Sequence, residues 1–127
     1  MGLRSGVAVA ALAGLAAGAC IMVFAQDKST SVLVIDEVDP SDPQADAKIA
    51  PLFGPVAREF GGRYLARGGK TVSFSGEPPK RVVIIAFDSM EKARAWRDSA
   101  RHKELEAMRE KIGTKIRSFA IEALPKK

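Results

Sequence analysis

The chain predicts an α+β fold, one antiparallel sheet with helices on one face, in the order β-α-β-β-α-β. Three observations carry that prediction. Ser31 to Val38 and Val82 to Phe87 are β-branched runs, short and apolar on both alternating faces, as interior strands are. Ile49, Leu52, Phe53, Val56 and Phe60, and later Met90, Ala93, Trp96 and Ala100, recur at helical spacing. Gly61-Gly62, Gly68-Gly69 and Gly76-Glu77-Pro78-Pro79 punctuate these stretches.

Ser31 to Val38 is the first strand. Asp39-Pro40-Ser41-Asp42-Pro43 follows with turn chemistry, since the prolines fix φ and Asp or Ser can cap a helix. Pro51 and Gly54-Pro55 interrupt the first helical stripe, so that helix is expected to be kinked or broken in two. Gly61-Gly62 ends it. Arg63 to Arg67 is the second strand, Gly68-Gly69 a turn or bulge, and Thr71 to Ser75 is expected to continue extended. Val82 to Phe87 is the third strand, expected at the centre. Asp88 or Ser89 caps the second helix. Its first apolar stripe runs out of phase with Leu105, Met108 and Ile112, which predicts a break near Ser99 with Ser99 capping the second piece. Gly113 closes this helix, and Ser118 to Leu124 is the last strand.

This order is the split βαβ pattern of ferredoxin-like folds, whose sheet carries helices on one face only. A chain this short lacks the residues to cover the other face itself. Phe53-Gly54-Pro55, Gly61 to Gly69, and Val82 to Ser99 with Ala95-Trp96 resemble the domain of unknown function 1330 family (DUF1330). The likeness extends from about Val32 to Leu124. Members of that family resemble the dimeric α/β-barrel (ferredoxin-like) superfamily, which implies a homodimer whose two sheets close into a barrel. The family has no established activity. Related barrels include cofactor-free monooxygenases, isomerases and dehalogenating or haem-handling enzymes, so the resemblance implies no single chemistry.

The first residues read as an address. Arg4 precedes an apolar run from Val7 to Phe24, and Val23-Phe24-Ala25 sets small residues three and one positions before the expected cut, ahead of the polar Gln26-Asp27-Lys28. That is the tripartite pattern of a secretory signal. Residues 1–25 are therefore expected to be removed, 26–30 to form a flexible tether, and 31–127 to fold, placing the protein in the periplasm or outside the cell. The alternatives are an uncleaved N-terminal anchor or a lipidated Cys20, although Ala17-Gly18-Ala19 lacks the aliphatic residue usual before such a cysteine. No stable membrane span is expected after cleavage. About one hundred residues remain, enough for one domain with a modest core.

The formal net charge is +5, with the densest mixture of both signs along Glu91 to Lys115. Such a mixture marks a solvated helix face, whereas nucleic-acid binding needs a one-signed stripe with interleaved aromatics. No nucleic-acid partner is expected. Cys20 is the sole cysteine and His102 the sole histidine, which leaves no usual ligand set for zinc or haem. No metal or cofactor is expected.

Arg63 and Arg67 are candidate ligand-binding residues. On a regular strand both share a face with Leu65, and Arg67 stands beside a glycine turn where its guanidinium can grip a carboxylate or enolate oxygen. The alternative is an exposed strand-end arginine or an interface ion pair. Trp96 is a core residue or, as a third ligand-binding candidate, a pocket wall. Arg67 and His102 are the catalytic candidates; His102 titrates near neutrality when unperturbed. Among Arg101, Lys103 and Glu104 it reads as a surface helix residue. DUF1330 proteins usually carry a tyrosine near this position, so no role transfers to His102 from the resemblance. Gly69-Lys70-Thr71 is no phosphate loop, because the earlier glycine is Tyr64 and a strand follows.

The expected function is that of a small exported dimeric barrel holding a small, anionic, partly apolar molecule between sheet and helices. One alternative is a cofactor-independent enzyme in the same pocket, monooxygenase- or isomerase-like, acting on a carbonyl or enol. Another is a structural or interaction module with a filled barrel.

Overall fold

Asp42 opens the helical layer: its side chain accepts a hydrogen bond from Ala45 N–H at 3.0 Å, with Pro43 at the first helical position where its missing N–H is harmless. In the computed structural model, which describes residues 30–125, the elements run β1 (Val32–Asp39), α1 (Pro43–Ile49), a 3-10 turn (Ala50–Leu52), α2 (Phe53–Glu59), β2 (Arg63–Arg67), β3 (Arg81–Phe87), α3 (Met90–Asp98), α4 (Ala100–Lys111) and β4 (Lys115–Glu122). The first helix is thus divided as its prolines require, with Pro51 in the 3-10 turn and Pro55 in the first turn of α2. Ser89 caps α3 by accepting from Lys92 N–H, and Ser99 breaks the second helix and caps α4 by accepting from His102 N–H.

The strands lie in the order β2-β3-β1-β4, every neighbouring pair antiparallel. This is the ferredoxin-like α+β arrangement. Period-two alternation sends Val32, Val34 and Val38 of β1, with Val83, Ile85 and Phe87 of β3, toward the helices. They pack there against Phe53, Val56, Trp96 and Leu105. The opposite face pairs Leu33 with Ala86 and Ile121, and Ile35 with Ile84 and Phe119. Phe119 is 42% and Ile121 53% exposed, so an apolar sheet face is open to solvent in the single chain.

Two expectations need correction. Thr71 to Ser75 is not a strand: β2 and β1 already occupy both edges of β3, and Phe74 stands 99% exposed on an irregular loop. The last strand begins at Lys115 rather than Ser118, because β4 pairs along the whole of β1 as far as Asp39. The expected signal segment, Cys20 and all but the last residue of the expected tether lie outside the described residues. Among the described residues no helix is long and apolar enough to cross a membrane.

Candidate functional site

Asp36 is the fourth member of the helix-facing set of β1, set between Val34 and Val38. Ser118, opposite it on β4, donates to its Oδ1 at 2.5 Å. Among the described residues Asp36 makes no ion pair. Burial pushes its carboxyl above the usual value of 3.8, opposed by the Ser118 hydrogen bond and by the charges of Arg97 and Arg109. A carboxylate in the middle of an apolar strand, at even spacing from Val32, Val34 and Val38, was the signal that could have marked it from sequence.

The second strand holds the larger surprise. Tyr64 pairs with Ile85 and Ala66 with Ile84, so Leu65 is an extra residue in a β-bulge. The bulge inverts the alternation after it. Arg67, opposite Val83, joins Tyr64 on the helix-facing side, whereas Arg63, opposite Ala86, lies on the other face 3.4 Å from Asp88. The expected common face of Arg63, Leu65 and Arg67 is therefore wrong. Arg63 is a solvent-exposed partner of Asp88, away from the interior. The Arg67 guanidinium lies 4.4 Å above the Tyr64 ring. Gly54 permits this, since a Cβ there would stand 3.3 Å from Arg67 Nη2. Gly68, at φ +70° and with its N–H on Val82 O, turns the chain away directly after Arg67.

The helices supply the opposite wall. Trp96 is 1% exposed, packed 5.1 Å from Phe87 and 4.4 Å from His102 between ring centroids. Its Nε1–H finds no acceptor among the described residues. His102 is 2% exposed, which corrects its reading as a surface residue. Capped by Ser99, the new helix starts with a different phase and turns His102 inward, against Phe53 and Trp96. Among the described residues neither ring nitrogen makes a hydrogen bond, although Nε2 comes within 3.4 Å of Glu106 Oε1 without the alignment for one. Burial, with the nearby Arg97 and Arg109 charges, lowers its pKa to about 4, so it is neutral at pH 7.

Sequence reasoning missed Asp46 and Arg109. Arg109 Nε and Nη2 donate to the two Asp46 oxygens at 2.8 and 3.1 Å, and Thr114 Oγ1 donates to Oδ1 at 3.0 Å. The fork ties α1 to α4, and its guanidinium lies 4.6 Å over Phe53.

Asp36, Tyr64, Arg67, Trp96 and Arg109, with Phe53, line a cavity of about 20 Å³ between sheet and helices. That is room for about one water molecule. Two larger clefts are open at the surface. One of about 420 Å³ lies between Asp39, Pro79 and Lys115, and another of about 340 Å³ between α3 and β4. Neither is lined by an unpartnered buried donor, and the charges of the first are of both signs. The small cavity is therefore the candidate site. It brings Arg67 and Trp96 together, with His102 behind Trp96, and excludes Arg63. Its lining includes the exposed cation Arg67, the Trp96 indole whose N–H is unpaired among the described residues, and a carboxylate with raised proton affinity. Among the described residues no three His, Cys, Asp or Glu side chains gather to hold a metal ion.

A family model described as "Domain of unknown function (DUF1330)" matches residues 31–124. The chain belongs to that family. Among solved structures, the DUF1330 domain is similar to a protein of unknown function from Rhodopseudomonas palustris, at 19% identity and TM-score 0.61 over 83% of this chain and 94% of that one. The methylated form of that protein gives 18% identity and TM-score 0.60 over 81% and 90%. A more distant match, at 12% identity and TM-score 0.46 over 74% and 93%, is a dimeric ferredoxin-like protein of unknown function from Thermobifida fusca. No curated protein matches this chain in sequence.

Proposed function

We propose that this DUF1330 protein is exported and forms a homodimer through its apolar sheet face. In each subunit it binds a small, anionic, partly apolar molecule between sheet and helices. One observation carries the binding reading: the bulge at Leu65 turns Arg67 onto the cavity side, and Trp96, which lines the same cavity, holds a buried N–H with no acceptor among the described residues. An N–H left unpaired in a core is unfavourable by about 1–3 kcal/mol, and a ligand oxygen in the cavity removes that penalty. The resting space takes only the head of such a ligand, so its body lies at the mouth and entry requires Arg67 to swing off Tyr64. The small volume favours the alternative of a filled, structural interior. The unpaired Trp96 and His102 nitrogens speak against it, because a core kept only for packing has no use for them.

The dimer reading rests on Leu33, Ile35, Ile84, Phe119 and Ile121 lying on one open face, where an apolar patch of this kind marks an interface. Native mass spectrometry of protein taken from the cell envelope tests all three parts. The expected species is two chains beginning at Gln26, with a bound small anion that Arg67→Ala loses. Arg67→Ala should weaken that ligand by about 1.5–3 kcal/mol, and Arg67→Lys should restore only part, since a point charge cannot reproduce a planar fork. A ligand-free monomer, or mutants that bind normally and melt early, would contradict the reading.

A further inference from the structure

We propose that Asp36 is the acid–base group of this pocket, moving a proton on the carbon beside the ketone of a small 2-oxo acid; the proposal rests on the binding reading above. The geometry separates Asp36 from an ordinary buried carboxylate. It lines the cavity from the middle of β1 and, among the described residues, is held by the single Ser118 hydroxyl and by no ion pair. Trp96 lines the same cavity, and its buried Nε1–H has no acceptor among the described residues. A ketone oxygen there accepts the hydrogen bond, and accepts it more strongly as it becomes an enolate, which is where a fixed donor accelerates reaction. Arg67 at the mouth takes the carboxylate of the same molecule.

The step balances within the pocket. The Asp36 carboxylate takes the proton from the carbon, the C–H electron pair becomes the C=C bond, and the C=O pair moves onto oxygen. The protonated Asp36 exchanges its proton with solvent and returns one to that oxygen or to carbon, giving the enol or the ketone. No electrons enter or leave, so no oxidant or reductant is called for. The charged and titratable groups around Asp36 are Tyr64 and Arg67 from β2, Arg81 from β3, Arg97 from α3, and His102 and Arg109 from α4. Ala50 and Phe53 contribute none. Burial holds the Asp36 carboxyl above its ordinary range, which makes the carboxylate a better base.

Deuterium exchange at the CH₂ carbon of phenylpyruvate, followed by proton NMR in D₂O, reads the step directly. Calorimetry with benzoylformate, which has no such C–H, reads binding alone. Exchange should run roughly 100-fold faster with the envelope-purified protein than with Asp36→Asn, while both bind benzoylformate. The rate should rise with pH as Asp36 loses its proton. Ser118→Ala should move that midpoint upward, because its hydroxyl favours the charged carboxylate. Benzoylformate binding with exchange no faster than in Asp36→Asn would overturn the proposal and leave the binding reading standing. Absence of both binding and exchange would overturn both. Should Asp36→Asn fail to fold, the Ser118→Ala profile decides, and an unmoved midpoint overturns the proposal.

Discussion

Asp46 and Asp36 both point into the layer between sheet and helices, yet their surroundings differ in kind. Asp46 is 3% exposed and has both oxygens engaged by the Arg109 fork and Thr114. Its charge is neutralised where it stands, and its hydrogen bonds cross from α1 to α4 and to the start of β4. Among the described residues Asp36 has one hydroxyl donor and no ion-pair partner, and it borders a cavity also lined by Trp96, whose N–H is unpaired there. The first arrangement is what a carboxylate needs to hold a fold together. The second leaves bonding capacity unspent, and in a small core that is affordable only where something else binds.

Breaking the finished pair should have the largest effect. Asp46→Ala strands the Arg109 guanidinium in the core, and should lower unfolding free energy by about 3–5 kcal/mol in urea titrations. Removing both charges together, as Asp46→Leu with Arg109→Met, should recover much of that loss, because it is the uncompensated charge that does the damage.

His102 sharpens the contrast from the other side of the cavity. Its folded pKa is about 4 against 6.5 unfolded, so the unfolded chain binds the extra proton first as pH falls. Its contribution is complete above pH 6.5 and is lost as pH falls toward 4. The loss is on the order of 3 kcal/mol across that window. His102→Phe should flatten this part of a stability profile measured from pH 4 to 7. An unchanged slope would mean that the ring is protonated in the folded chain and reached by water.

The frame of the fold was legible because strands and helices differ in apolar period, and Ser31 to Val38, Val82 to Phe87 and the phase slip at Ser99 display theirs openly. The site was half legible. Arg67 and Trp96 stood out by type, but the bulge at Leu65 decides which way Arg67 points, and no residue between Arg63 and Arg67 announces an extra position in the ladder. His102 was misread because its neighbours along the chain are solvated while its own angle on α4 is set by a cap three residues earlier. Asp36 was overlooked inside a run judged apolar on both faces, although counting by twos from Val32 places it on the core side. Asp46 and Arg109 meet across 63 residues, a pairing that charge pattern alone does not disclose.

The most direct test compares Asp36→Asn with Asp46→Asn in urea unfolding. Because burial raises the Asp36 pKa above 3.8, the folded chain holds that proton more tightly than the unfolded one, and stability falls as pH rises through the interval above 3.8. Asparagine carries no charge to desolvate and escapes that fall. At pH 7 Asp36→Asn should therefore stay within about 0.5 kcal/mol of the unchanged chain or exceed it, while Asp46→Asn loses several kcal/mol. Similar large losses in both variants would show that Asp36 is structural, and would contradict the assignment of the cavity as the functional site.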